Sequence, residues 1–217
     1  MTFDPSRFAV LPFPDLENKL DYAVPSEGSG LWEWWDYYNT CGLVTVPLNG
    51  ERRPMERWVH YRDDDPTGLG AYDADTRRWL DEGVWWQAAG IGVLCEFSNA
   101  ICLDVDIPEA EAWPHLAASF GVPIAPEQHP HGVVLTRSNR LHLWFGVPDG
   151  VAVPSIGVSE MSDLGYTNIE LKARGSCVPL PPSESGGGLY QWRRPPRMLR
   201  PDVFNIFDPI PDWLAST

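Results

Sequence analysis

The sequence predicts an α+β domain built on a mainly antiparallel sheet. Residues 100–107 alternate strictly, with Ile101, Leu103, Val105 and Ile107 set against Cys102, Asp104 and Asp106. The stretches 138–147 and 169–174 alternate in the same way. Period-two alternation marks strands that bury one face. Helical stretches bounded by Gly and Pro lie ahead of these strands at 31–41 and 73–83, and between the first two at 108–121.

In chain order, "LWEWWDYYNTC" (31–41) reads as an aromatic-rich helix, with Ser26 or Ser29 as N-cap candidates. "GLVTVPL" (42–48) reads as a short strand. "DADTRRWLDEG" (73–83) reads as a helix with Asp73 or Asp75 near its start and Gly83 closing it. The runs 90–97 and 100–106 read as two strands joined by Ser98–Asn99 into a hairpin. A helix follows to Gly121, with Pro114 expected to break or kink it. "GVVLTRS" and "RLHLWFGV" (132–147) read as a strand pair or one bent strand, and 167–175 and 176–183 as further strands. "SESGGGLYQW" reads as a hairpin turn, and "DPIPDWLAST" as a tail.

The 217 residues, 11 of them Trp, suffice for one large domain or two lobes around a sizeable core. No apolar run reaches the roughly 18 residues of a membrane helix. The first residues lack a signal-peptide pattern, which predicts a cytoplasmic protein. The four cysteines are scattered without a CxxC, so reduced thiols are expected rather than a zinc site. The net charge of −14 argues against a chain that grips nucleic acid over its whole surface. Base is concentrated locally, with four arginines in 193–200 and three in 50–58. Each cluster is either a solvated face or part of a narrow basic track.

The chemistry begins at "AICLDVDIPEA" (100–110). Asp104 and Asp106 share a strand face, roughly 7 Å apart at their Cα atoms. Like charges so close need counter-charges, from Arg and Lys or from a divalent cation. A wet strand face with each Asp paired to a base is the plain alternative. Two further strands present matching groups. In 138–145, Ser138, Arg140, His142 and Trp144 oppose Leu141, Leu143 and Phe145. In 169–174, Glu170, Lys172 and Arg174 oppose Ile169 and Leu171. As neighbours in one sheet, these strands would form carboxylates flanked by cations. That composition binds a metal–nucleoside triphosphate, the acids taking the ion and the bases the phosphates. Trp144, Trp192 and Trp85–Trp86 are candidates to stack on bases, with core packing the competing role. His129 and His131 in "HPHG", with His115, lack a fourth metal ligand and read as a loop.

The order "LDVD", "TRSNRLHLWFGVP", "NIELKARGSCVPLPPS" and then "YQW" resembles the bifunctional primase–polymerase (Prim-Pol) family of the archaeo-eukaryotic primase superfamily. "GIGVLCEFSNAICLDVD" and "GLVTVPLNGERRP" with Trp58 extend the likeness, which covers roughly residues 36 to 192. "SNRL" departs from the family's Gly-rich form before the histidine, and no zinc-binding stem is visible. The resemblance implies an RRM-like, mainly antiparallel sheet carrying the active site, packed with a smaller N-terminal α/β lobe. It divides the chain at about 1–89 for that lobe, 90–200 for the catalytic lobe and 201–217 for a tail. The whole would be the N-terminal part of a longer phage or plasmid replication protein.

The activity implied is template-dependent primase and DNA polymerase chemistry. Asp104, Asp106 and Glu170 would hold two ions, Mg²⁺ or Mn²⁺. His142 would contact the incoming triphosphate, helped by Ser138, Arg140 and Lys172, with Arg137 and Arg174 as further nucleotide-binding candidates, although Arg137 falls on the other face of a regular strand. Implied partners are a single-stranded DNA template and primer, nucleoside or deoxynucleoside triphosphates, and a fused or partner helicase. No membrane is implied, and the isolated domain is expected to be a monomer in the cytoplasm of a bacterial host. The alternatives are a metal-dependent nuclease, which needs no triphosphate clamp, and a non-catalytic module binding single strands or nucleotides, which needs no acids.

Overall fold

A computed structural model describes residues 23–61, 69–129, 131–148, 151–197 and 206–215. The elements run α1 (Leu31–Thr40), β1 (Thr45–Leu48), α2 (Leu69–Asp81), β2 (Gly90–Leu94), β3 (Ala100–Pro108), α3 (Glu109–Phe120), β4 (Val133–Leu135), β5 (Arg140–Gly146), α4 (Val158–Asp163), β6 (Ile169–Lys172), β7 (Cys177–Leu180), β8 (Glu184–Ser185), β9 (Gly188–Leu189), β10 (Gln191–Arg194) and α5 (Asp212–Ala215). The fold is α+β and its sheets are antiparallel, as the alternation predicts.

Three strands form one sheet in the order β1–β2–β7. Five form the other in the order β10–β4–β5–β3–β6. Within it, β3–α3–β4–β5–α4–β6 is a split β-α-β repeat, the RRM-like arrangement, with β10 added beside β4. Its odd-numbered side chains, such as Leu103, Val105, Leu141, Leu143 and Ile169, bury against Ala112 and Leu116 of α3 and Met161 of α4. From its other face, Cys102, Val134, Trp144 and Trp192 join the aromatic core of the first sheet with Trp34, Tyr38 and Trp85. Trp192 Nε1 donates to Tyr38 Oη at 2.8 Å, and Tyr38 Oη donates to the Pro181 carbonyl at 2.7 Å. These bonds lock α1 to both sheets.

Several local expectations give way. The runs 90–97 and 100–106 do not form a hairpin. β2 pairs with β1 and β7, while β3 pairs with β5 and β6. A 3₁₀ turn at Cys95–Phe97, and Asn99 at φ 46°, redirect the chain from one sheet to the other. The expected division near residue 89 falls between β1 and β2, which pair in one sheet. α1 is capped by Gly30 without a side-chain bond; Ser26 and Ser29 bond each other instead. α2 begins at Leu69, so Asp73 and Asp75 lie a turn inside it. Pro114 sits within an unbroken α3, on its exposed side, where the missing N–H costs least. Gly121 at φ 66° ends that helix as expected.

The "SGGG" stretch makes the β8–β9 hairpin, with Gly186 and Gly187 at φ 56° and 78°, the pair of left-handed residues such a turn requires. The C-terminal segment is no free tail. Ile206, Phe207 and Leu214 are buried, and the Gly146 N–H donates to the Asp208 carbonyl at 2.8 Å. Among the described residues no helix is long and apolar enough to cross a membrane.

Candidate active site

Asp104 lies at the centre of the site. On β3 it is directly opposite His142 of β5 on one side and Glu170 of β6 on the other. Opposed residues in antiparallel strands hold their Cβ atoms about 4.5–5.5 Å apart, so one sheet row brings three strands' functional groups together. Cys102, opposite both Trp144 and Lys172, forms the next row. The β3–β5 register slips between Val105 and Pro108. This bulge re-aims Asp106, whose N–H bonds the Asn168 carbonyl at 2.8 Å and whose Oδ1 pairs with Arg140 Nη1.

Each acid faces a base. Lys172 Nζ is 2.6 Å from Glu170 Oε1, and His142 Nε2 is 3.5 Å from Asp104 Oδ1. Burial raises the Asp104 pKa against the pull of Lys172, and the charge of Asp106 adds to the rise. His142 is 5% exposed, and burial together with Lys172 and Arg52 lowers its pKa to about 3. It is therefore a neutral imidazole at pH 7, and its Nδ1 is buried without a hydrogen-bond partner. The histidine expected to contact the triphosphate is thus a buried ring directly across from Asp104.

The remaining candidates are placed unevenly. Ser138 is not on a strand; it is exposed in the Thr136–Asn139 turn, where Asn139 takes φ 56°. The alternation stops at that turn, so face counting fails there. Arg137, in the same turn, packs against the β8–β9 hairpin, where a Cβ on Gly188 would lie 2.9 Å from the Arg137 Cβ. Arg174 turns away to Glu96 at 3.1 Å. Trp144 (1% exposed) is a core residue stacked on Phe207, with centroids 5.4 Å apart, and Trp85 and Trp192 are also buried. Trp86 alone of the stacking candidates is exposed. The 193–200 cluster is no free track over its described part. Arg193 pairs with Glu109 at 2.7 Å, Arg194 bonds the His129 carbonyl at 3.0 Å, and Arg197 bonds the Phe207 carbonyl at 2.7 Å. Arg200 lies outside the described residues.

Two residues were missed by sequence reasoning. Arg52, in the turn after β1, and Tyr190, between β9 and β10, meet at 3.1 Å from Arg52 Nη1 to Tyr190 Oη. The Tyr190 ring lies 5.7 Å from that of His142. The signals were "ERRP" and "YQW", but nothing local links residues so far apart.

Hard oxygen donors on three adjacent positions suit Mg²⁺ or Mn²⁺. Among the described residues, however, no three His, Cys, Asp or Glu side chains converge as a ready metal site. Asp106 and Glu170 are turned onto Arg140 and Lys172 instead.

The domain is an α+β fold whose RRM-like sheet lines up acids and bases on one face. The family model of the N-terminal domain of bifunctional DNA primase/polymerase, Prim-Pol, matches residues 35–213. The chain belongs to this family. No curated protein sequence matches it.

Proposed function

We propose that this chain catalyses template-directed nucleotidyl transfer, extending a primer on single-stranded DNA and starting chains without one. The observation that carries this reading is the register that sets Asp104 between His142 and Glu170, with Asp106 re-aimed beside them by a bulge. Family membership supports it.

Asp104, Asp106 and Glu170 would hold divalent ions, which when bound activate the attacking 3′-hydroxyl and neutralise the leaving pyrophosphate. The chain's own residues do the rest. His142, across the sheet from Asp104, holds that carboxylate in place. Arg140 and Lys172, which face Asp106 and Glu170 here, are the cations that would bind triphosphate oxygens. A helicase part or partner would open duplex DNA and add the grip that an acidic chain lacks.

The test offers the purified chain a single-stranded template, labelled nucleotides and Mg²⁺ or Mn²⁺, with and without primer. Synthesis that needs template and disappears in Asp104→Ala/Asp106→Ala is expected. Degradation of labelled DNA without triphosphates would replace the reading with a nuclease. A folded chain that does neither, yet binds nucleotide, would be a binding module.

A further inference from the structure

We infer that Arg52 is a triphosphate-binding residue delivered to the acid row from the first sheet, and that Tyr190 positions it against His142. The inference rests on the polymerase reading of the site and extends it to a residue on the other sheet.

The turn after β1 is built to present this side chain. Asn49 Oδ1 accepts the N–H groups of Glu51 and Arg53, at 2.9 and 3.0 Å. The Arg52 N–H donates to the Asn49 carbonyl at 2.9 Å, and the Asn49 N–H to the Arg53 carbonyl at 2.9 Å. The Leu48–Pro54 bridge closes the loop. At its tip Arg52 takes φ 66°. Non-glycine residues rarely adopt that conformation, Asn and Asp excepted, and it persists where surroundings impose it, often at a functional site.

The guanidinium meets a neutral partner. Lys172 faces Glu170, Arg140 faces Asp106 and Arg174 faces Glu96. Arg52 donates to the Tyr190 hydroxyl, and no carboxylate among the described residues pairs with it. Its charge still reaches the centre of the site, acting on both Asp104 and His142. Tyr190 is 3% exposed, and its ring lies against His142. The tyrosine thus fixes the distance between the arginine and the acid row. A guanidinium fork without a carboxylate partner, set beside a row of carboxylates, suits the terminal phosphates of a nucleotide, which a monophosphate lacks.

The experiment measures binding of dATP and dAMP, each with Mg²⁺, to the full chain by calorimetry. Wild type, Arg52→Asn, Arg52→Lys and Tyr190→Phe are compared, and melting temperatures and primer extension are recorded alongside. Asn tolerates the left-handed backbone, so Arg52→Asn should melt no lower than wild type. Its dATP affinity should fall about tenfold or more, with dAMP changed less than about twofold, as expected for a lost charge-assisted contact. Arg52→Lys should recover part of the loss. Tyr190→Phe keeps the ring on His142 and should weaken dATP binding by about three- to tenfold. Unchanged dATP affinity in Arg52→Asn, an equal loss for both nucleotides, or a wild type that does not prefer dATP would each overturn the inference. A specific loss of dATP binding in a chain that synthesises nothing would uphold Arg52 and overturn the polymerase reading. Synthesis with undiminished dATP binding by Arg52→Asn would do the reverse.

Discussion

Asp104 carries opposing demands. Burial raises its pKa, so its charge is held in the fold at a cost, while the proposed chemistry needs that charge. Asp104→Asn keeps the shape and removes the charge. We expect primer extension to fall by at least about 10²–10³-fold, the scale of a lost electrostatic group at a reacting centre. Thermal stability should stay level or rise, because the costly buried charge is gone. Extension at wild-type rate would remove Asp104 from the mechanism. Much of this row was legible beforehand. Period-two alternation places Asp104, His142, Glu170 and Lys172 on functional faces, and three such faces suggested one sheet. Ser138 was misplaced because alternation ends where the Thr136–Asn139 turn begins. The pairing of Arg52 with Tyr190 is not legible in the sequence, because it joins positions 138 residues apart.

Elements repeat the lesson at larger size. Local pattern located nearly every strand, but not which sheet each strand joins. β2 is buried along its whole length and β3 begins equally apolar, so nothing in the pattern separates a hairpin from a crossing between sheets. The 3₁₀ turn between them decides it. α3 shows the converse, a helix strong enough to absorb its own breaker. Ala112 and Leu116 anchor one face to the sheet, while Pro114 stays on the exposed side. Pro114→Ala restores an N–H to the helix ladder and gives up some rigidity of the unfolded chain. We expect a net gain of about 1–2 kcal/mol in urea denaturation, with primer extension unchanged. A loss of stability would show that the proline ring makes contacts worth more than the missing hydrogen bond.

At the scale of the molecule, two cores meet through the five-stranded sheet. The aromatic core takes the face of Trp144 and Trp192, the helical core takes the opposite face, and the acid row opens where neither covers the sheet. In a chain of net charge −14, Arg52, Arg140 and Lys172 nevertheless gather beside the acid row, where Arg140 and Lys172 pair with Asp106 and Glu170. The helical core has its own titratable weak point. His129 stacks on Trp113 at 5.5 Å, and its ring also meets Phe145 and Trp213, each at 5.8 Å. It therefore joins α3, β5 and the C-terminal helix. Burial lowers its pKa, outweighing the opposite pull of Asp208 and reinforced by Arg194, and its Nε2 is buried without a partner. Unfolded, the histidine takes a proton as pH falls through about 6.5; folded, it resists, so the unfolded state binds more protons in this window. Stability should decline as pH falls from 7 towards 5, by up to about 1.4 kcal/mol per pH unit from this residue. His129→Phe keeps the aromatic stack and cannot take the proton. Urea denaturation at pH 7.5, 6.0 and 5.0 should show a shallower decline in this variant than in wild type. Parallel pH profiles for the two chains would mean that His129 is not held neutral in the fold.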